Sequence, residues 1–250
     1  MQTNLKFIGI ALIIFFRYAA VAQSNTDFYD KTYPAIISNK ESKETYPILS
    51  IDTITKKGYT LVFVNRSPDF ADSTKQKLIN TFFKVYPKEV KAYNKKALKK
   101  VVFTIEPGYN GVAAAHNGRI FFSPAWFVKN PQDIDVVTHE GMHIVQSYGG
   151  RSGPGWITEG IADYVRYKMG VNNEGSNWRL PDYSARQNFD NAYRVTARFF
   201  VWIEKKYDKK FVRKLDKAMR EKVYTSEFSK EHTGKTFAEL WAEYGANPSI

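Results

Sequence analysis

THEGMHIVQSYGGRSGPGWITEGIAD, residues 138–163, places an HExxH pattern and an ExxxD pattern on either side of a glycine-rich break. On a helix, positions i and i+4 share a face. His139 and His143 can therefore aim ring nitrogens at one point, with Glu140 beside them. Two of the chain's four histidines sit here. The bland alternative is that two histidines fell four apart around a glutamate by chance on an amphipathic helix. The neighbourhood argues against it, because a catalytic zinc needs three protein ligands and an open water position, and a third donor follows closely. The stretch points to a zinc hydrolase.

The third ligand separates the subclasses. The metzincin pattern asks for Gly and His three and six residues after the second histidine. Gln146 and Gly149 stand there instead. Glu159-Gly160-Ile161-Ala162-Asp163 fits the ExxxD spacing of the thermolysin-like arrangement, with Glu159 as ligand. Asp163 then lies one turn along the same face and can accept the outer ring N–H of His139. Asp163 as the ligand is the alternative assignment.

Local signals place two helices around the break. Asn130 and Pro131 read as N-cap and first helical residue, with Asp133 adding favourable charge, so the first helix is expected over 131–148. The breakers Gly149 to Gly155 end it, and a second helix is expected from about Trp156 to Gly170.

Dispersed segments around this core, HEGMHIVQSYG, GWITEGIADYVRYKMG, YRVTARFFVWI, FVRKLDKAMRE and HTGKTFAELWAEY, resemble the plant and bacterial basic secretory proteins, zinc metallopeptidases related to the thermolysin-like zincins. The resemblance covers roughly residues 100–245. One departure is Ala192, where the family's segment has a glycine before the tyrosine. The resemblance implies a secreted peptidase of α+β, zincin-like fold: a small mixed sheet with an edge strand beside the HExxH helix, then a mainly helical C-terminal part. It also implies that an edge strand binds the substrate backbone by strand addition. From chain order, Gly118–Ser123 is the candidate, with Arg119, Ile120 and Phe121 as substrate-binding residues. The apolar run Ile120–Phe122 fits a buried interior strand equally well.

The expected chemistry follows from zinc. The ion acidifies its water, Glu140 accepts the proton as that water attacks a peptide carbonyl, and Glu140 passes it to the leaving amine. A further donor should stabilise the oxyanion. Tyr193 is the first choice, from its place in the resemblance segment, with His116 and His232 as rivals. The bland reading of Tyr193 is a buried helix tyrosine, and Trp202 and Trp241 read as core. Two other classes share these residues: a secreted binding or defence-type protein that keeps the fold without turnover, and a zinc hydrolase of a non-peptide bond. An intact general base argues against the first.

Composition agrees with export. Lys6, the apolar run Phe7–Phe16 and Ala20-Val21-Ala22 make the three-part layout of a signal peptide, with cleavage expected after Ala22. Arg17 interrupts that layout, so an uncleaved anchor is the alternative, although the run is far short of the ~20 residues that span a bilayer. With no cysteine, the chain has neither disulfides nor thiolate ligands, and its stability must come from an ordinary core. Residues 23–55 read as an irregular lead-in and 56–250 as a single domain; the size of the chain and its 43% hydrophobic content overall suit such a core. The net charge of +12, or +10 without Lys6 and Arg17, promotes solubility and weak attraction to anionic surfaces. No nucleic-acid motif accompanies it, and a monomer is expected. Strands are expected at 59–65, 101–106 and 119–123, a helix at 69–86, a polar loop over the cleft at 171–190, and three helices after it.

Overall fold

The β-branched and aromatic run YTLVFVN forms strand β2 (Tyr59–Asn65), and it pairs antiparallel with β1 (Ser50–Lys56). The structure, a computed structural model, describes residues 46–250, of which Leu49–Ile250 make one unit. The expected signal peptide and most of the expected lead-in lie outside the described residues. β1 corrects the end of that lead-in. SIDTITK is largely exposed, so it carries little of the apolar alternation that marks a half-buried strand.

The sheet has the order β1-β2-β3-β5-β4, with β3 at Lys100–Ile105, β4 at Ala113–His116 and β5 at Arg119–Phe122. The three inner strands are parallel and each outer one is antiparallel to its neighbour. Both outer pairs are hairpins with two-residue turns. Lys57-Gly58 and Asn117-Gly118 take positive φ at both positions, the twist-matched turn such hairpins need.

Helix α1 (Asp72–Ala92) connects β2 to β3 and covers one sheet face. It runs past Tyr86 and through Pro87, because Glu89 and Val90 stay on its buried side. Edge-to-face contacts join Phe82 to Phe103 and Phe103 to Phe122 at 5.4 and 5.0 Å between ring centres, locking helix to sheet.

After β5 the chain makes a short helix, α2 (Pro124–Lys129), and then α3 (Val136–Gln146), which carries HExxH. The expected single helix over 131–148 is thus shorter at both ends. Asn130 does not start a helix. It ends α2, its side-chain amide donating to the Trp126 carbonyl at 3.1 Å. Helix α4 (Gly155–Met169) follows the glycine break within a residue of expectation, and α5 (Tyr193–Lys206), α6 (Phe211–Glu221), α7 (Phe228–Thr233) and α8 (Phe237–Ala246) complete the helical part. Four helices follow the polar loop rather than three, the extra one being the six-residue α7. The Thr236–Glu239 capping box at the start of α8 forms as its spacing suggests. Trp202 is fully buried, and Trp241 packs on Phe199 and Tyr244. Among the described residues no helix is long and apolar enough to cross a membrane.

Candidate metal centre

Three elements position the site: α3, α4 and the N-terminus of α5. α3 is anchored at its start by Asp135, whose buried carboxylate accepts from the Thr138 hydroxyl at 3.1 Å and from the Val171 amide at 2.8 Å in the loop after α4. On its underside, Gly141 lets α3 approach α1 closely. A Cβ there would sit 3.0 Å from the Glu89 carboxylate. Gly160 does the same between α4 and α5, where a Cβ would lie 2.3 Å from the Thr196 methyl.

This packing brings His139 Nε2, His143 Nε2 and Glu159 Oε2 together. The histidine nitrogens are 3.1 Å apart, and the Glu159 oxygen lies 3.2 Å from the first and 3.4 Å from the second. Tetrahedral zinc with N and O ligands at ~2.0–2.1 Å separates them by about 3.3 Å, so spacing and donor chemistry both fit that ion. Among the described residues this is the group of histidines and carboxylates suited to holding a metal. The outer nitrogens are also held. His139 Nδ1 meets Asp163 Oδ1 at 2.7 Å, and His143 Nδ1 meets Gln146 Oε1 at 2.8 Å. Gln146 in turn donates to the Thr158 carbonyl at 2.9 Å, tying the end of α3 to the residue before Glu159.

Groups this close compete for protons. Burial alone would pull the His139 pKa down, but hydrogen bonds to Asp163 and Glu159 and nearby negative charge push it up to about 10. For Glu159, burial is outweighed by its bonds to both histidines, which hold it well below the usual carboxylate range. Glu140 stands outside the three-atom group, buried, with the Ala115 amide of β4 donating to its carboxylate. Its pKa rises through burial, with the two histidines offsetting part of the effect.

The family model for the peptidase of plants and bacteria matches residues 49–244. The chain belongs to that family. No curated protein matches it. Among solved structures, it is similar to a mutant two-domain M1 zinc metallopeptidase bound to L-tryptophan (11% identity, TM-score 0.49, 80% of this chain and 51% of that one). It is also similar to an aminopeptidase N family protein from Idiomarina loihiensis (10% identity, TM-score 0.47, 78% of this chain and 46% of that one). The chain spans about half the length of these structures.

In this member of the peptidase of plants and bacteria family, a cleft of about 1320 Å³ runs along α3. It is lined on one side by β4 and on another by the loop after α4, here Ser176 to Trp178, as expected of the polar stretch. The edge strand is a correction. β5, with Arg119, Ile120 and Phe121, is interior to the sheet and buried, whereas β4 is the outer strand and lines the cleft. The reason is the Asn117-Gly118 hairpin, which folds AAAH back outside RIFF.

Tyr193 begins α5 over the site, half exposed rather than buried in the helix, its ring 6.2 Å from that of His139 and nearly parallel to it. The charge on Glu159, followed by burial, raises its pKa and keeps the phenol a donor. His116 lies at the exposed end of β4 on the cleft, while His232 packs on Phe228 and does not line it. Tyr109, which sequence reasoning passed over, lines the cleft with its hydroxyl donating to the Ala113 carbonyl at 2.9 Å. Burial, then the charge of Glu140, raises its pKa.

Proposed function

We propose that the protein is a zinc-dependent peptidase, with His139, His143 and Glu159 holding the ion and Glu140 as general base and acid. One observation carries the reading. Three ligand atoms converge at zinc-like spacing while the fourth polar group, Glu140, stands beside them and outside the set. A purely structural metal site has no use for such a carboxylate. When bound, zinc supplies acidified water and polarises a carbonyl oxygen.

The chain's own residues do the rest. Glu140 takes the proton of the attacking water at its carboxylate and gives it to the leaving amine. Burial strengthens it as a base and lets it hold that proton between the two transfers. Asp163 and Gln146 fix the orientation of the two imidazoles. The Tyr193 hydroxyl donates to the oxyanion as it develops. The peptide lies extended along the outer edge of β4. Export through a signal peptide rests on the layout of residues 1–22.

Metal analysis of the purified protein tests the ligand set: about one zinc per chain is expected. Glu159→Gln should release most of it. Asp163→Ala should weaken binding by about 10- to 100-fold while the site still fills at excess zinc. Zinc retained in Glu159→Gln but lost in Asp163→Ala would reverse the assignment.

A further inference from the structure

Along α4, Glu159 and Asp163 are continued by Arg166, three residues on from Asp163 and seven from Glu159, on the same helix face. Arg166 is buried and paired with Asp133, itself buried. The other oxygen of that carboxylate accepts the Trp126 indole N–H at 2.9 Å. On its far side, the Arg166 guanidinium lies 4.5 Å from the ring centre of Trp178, and its Nε donates to Asn173 at 3.2 Å. Trp126 from α2 and Trp178 from the loop after α4 are thus joined through one buried ion pair. All four residues line the cleft beside Asp163 and His139.

The chemistry of this wall is specific. The Arg166 charge is neutralised by Asp133, and the Trp126 N–H is satisfied within the wall. The surface left to a ligand is mainly the ring faces of two half-buried tryptophans. A charged side chain placed against those faces would lose water without gaining a countercharge from the Arg166–Asp133 pair, which is already matched. An aromatic ring would bury large apolar area and stack offset or edge-on against indole. We infer that this wall is the specificity subsite of the cleft, and that it takes an aromatic side chain of the peptide close to the bond that is cut.

The inference rests on the peptidase reading, so its test carries a readout independent of turnover. The zinc-loaded protein is titrated with N-acetyl-phenylalaninamide and with N-acetyl-alaninamide while the indole N–H signals of the five tryptophans are followed by isotope-edited NMR. The phenylalanine probe should shift the Trp126 and Trp178 signals saturably, and the alanine probe should bind at least about tenfold more weakly. In Trp178→Ala that tenfold preference should disappear, with zinc content unchanged, and Trp178→Phe should restore part of it. Equal binding of the two probes, or a preference that survives Trp178→Ala, overturns the subsite. On peptides, the ratio of kcat/KM for phenylalanine over alanine at the preferred position should fall at least about tenfold in Trp178→Ala. A protein that shows the probe preference but cleaves no peptide would keep the subsite and sink the peptidase reading.

Discussion

His139 shows how much a single side chain depends on its partners here: one ring nitrogen faces Glu159 and His143, and the other is held by Asp163. Tyr193 stacks over the same ring with a protonated hydroxyl. Tyr193→Phe removes only that hydroxyl. Stopped assays should show kcat down about 100-fold or more with KM and zinc content little changed, because the contact forms mainly in the transition state. A loss of stability with normal kcat would make it a structural hydrogen bond instead.

Glu89 is the opposite case, a fully buried carboxyl under Gly141 with neither oxygen hydrogen-bonded. Burial pushes its pKa well up, with the charge of His139 pulling down and that of Asp135 adding to the rise. The folded chain therefore keeps this proton where the unfolded chain has lost it, and the group's contribution falls as pH climbs above ~4.3. Glu89→Gln keeps the shape and removes the titration. Urea unfolding between pH ~5 and ~7 should show the variant gaining on the wild type with rising pH, by up to about 1.4 kcal/mol per unit. A difference that does not vary with pH would mean that Glu89 is ionised and paired.

Residues that act through i, i+4 spacing, namely His139, His143, Glu159 and Asp163, were legible because a helix makes sequence distance a proxy for direction. Gln146 was visible only as a failed metzincin position. Its contacts to His143 and to the Thr158 carbonyl depend on how α3 meets α4. Tyr109 had no local pattern to betray it.

At the level of elements, β2, β3, β5 and α4 followed from apolar runs and breakers. β1 and β4 did not. Both are outer strands, and AAAH has neither β-branched residues nor alternation, so pairing across the Asn117-Gly118 turn is what makes it a strand. That single hairpin moved the expected substrate edge from β5 to β4. The start of α5 is a second lesson. Ala192, the position where the resemblance asks for glycine, has φ 63° and ψ −173°, a region that costs a residue with a Cβ about 1–3 kcal/mol. Ala192→Gly relieves that strain against a smaller loss in unfolded-chain entropy. Thermal denaturation should show a gain of about 1 kcal/mol, or roughly 2–4 °C in Tm. A lower Tm would show that the surroundings already accommodate the alanine.

Across the whole molecule, the sheet and α1 form a platform on which α3 rests, and α4 and α5 close over it from the helical half. The class of architecture was readable from strands followed by helices around HExxH. The cleft was readable only in part: the loop after α4 was expected over it, but the opposite walls, β4 and α2, come from a separate stretch of chain that only the fold brings across from α4. The proposed mechanism gives metal binding to His139, His143 and Glu159 and proton transfer to Glu140, which stands outside that group. Glu140→Gln separates the two. Peptide hydrolysis by the zinc-loaded variant, measured beside its zinc content and Tm, should fall by about 10²- to 10⁴-fold while both other quantities stay close to wild type. Full activity in a zinc-loaded, folded Glu140→Gln protein would contradict the account.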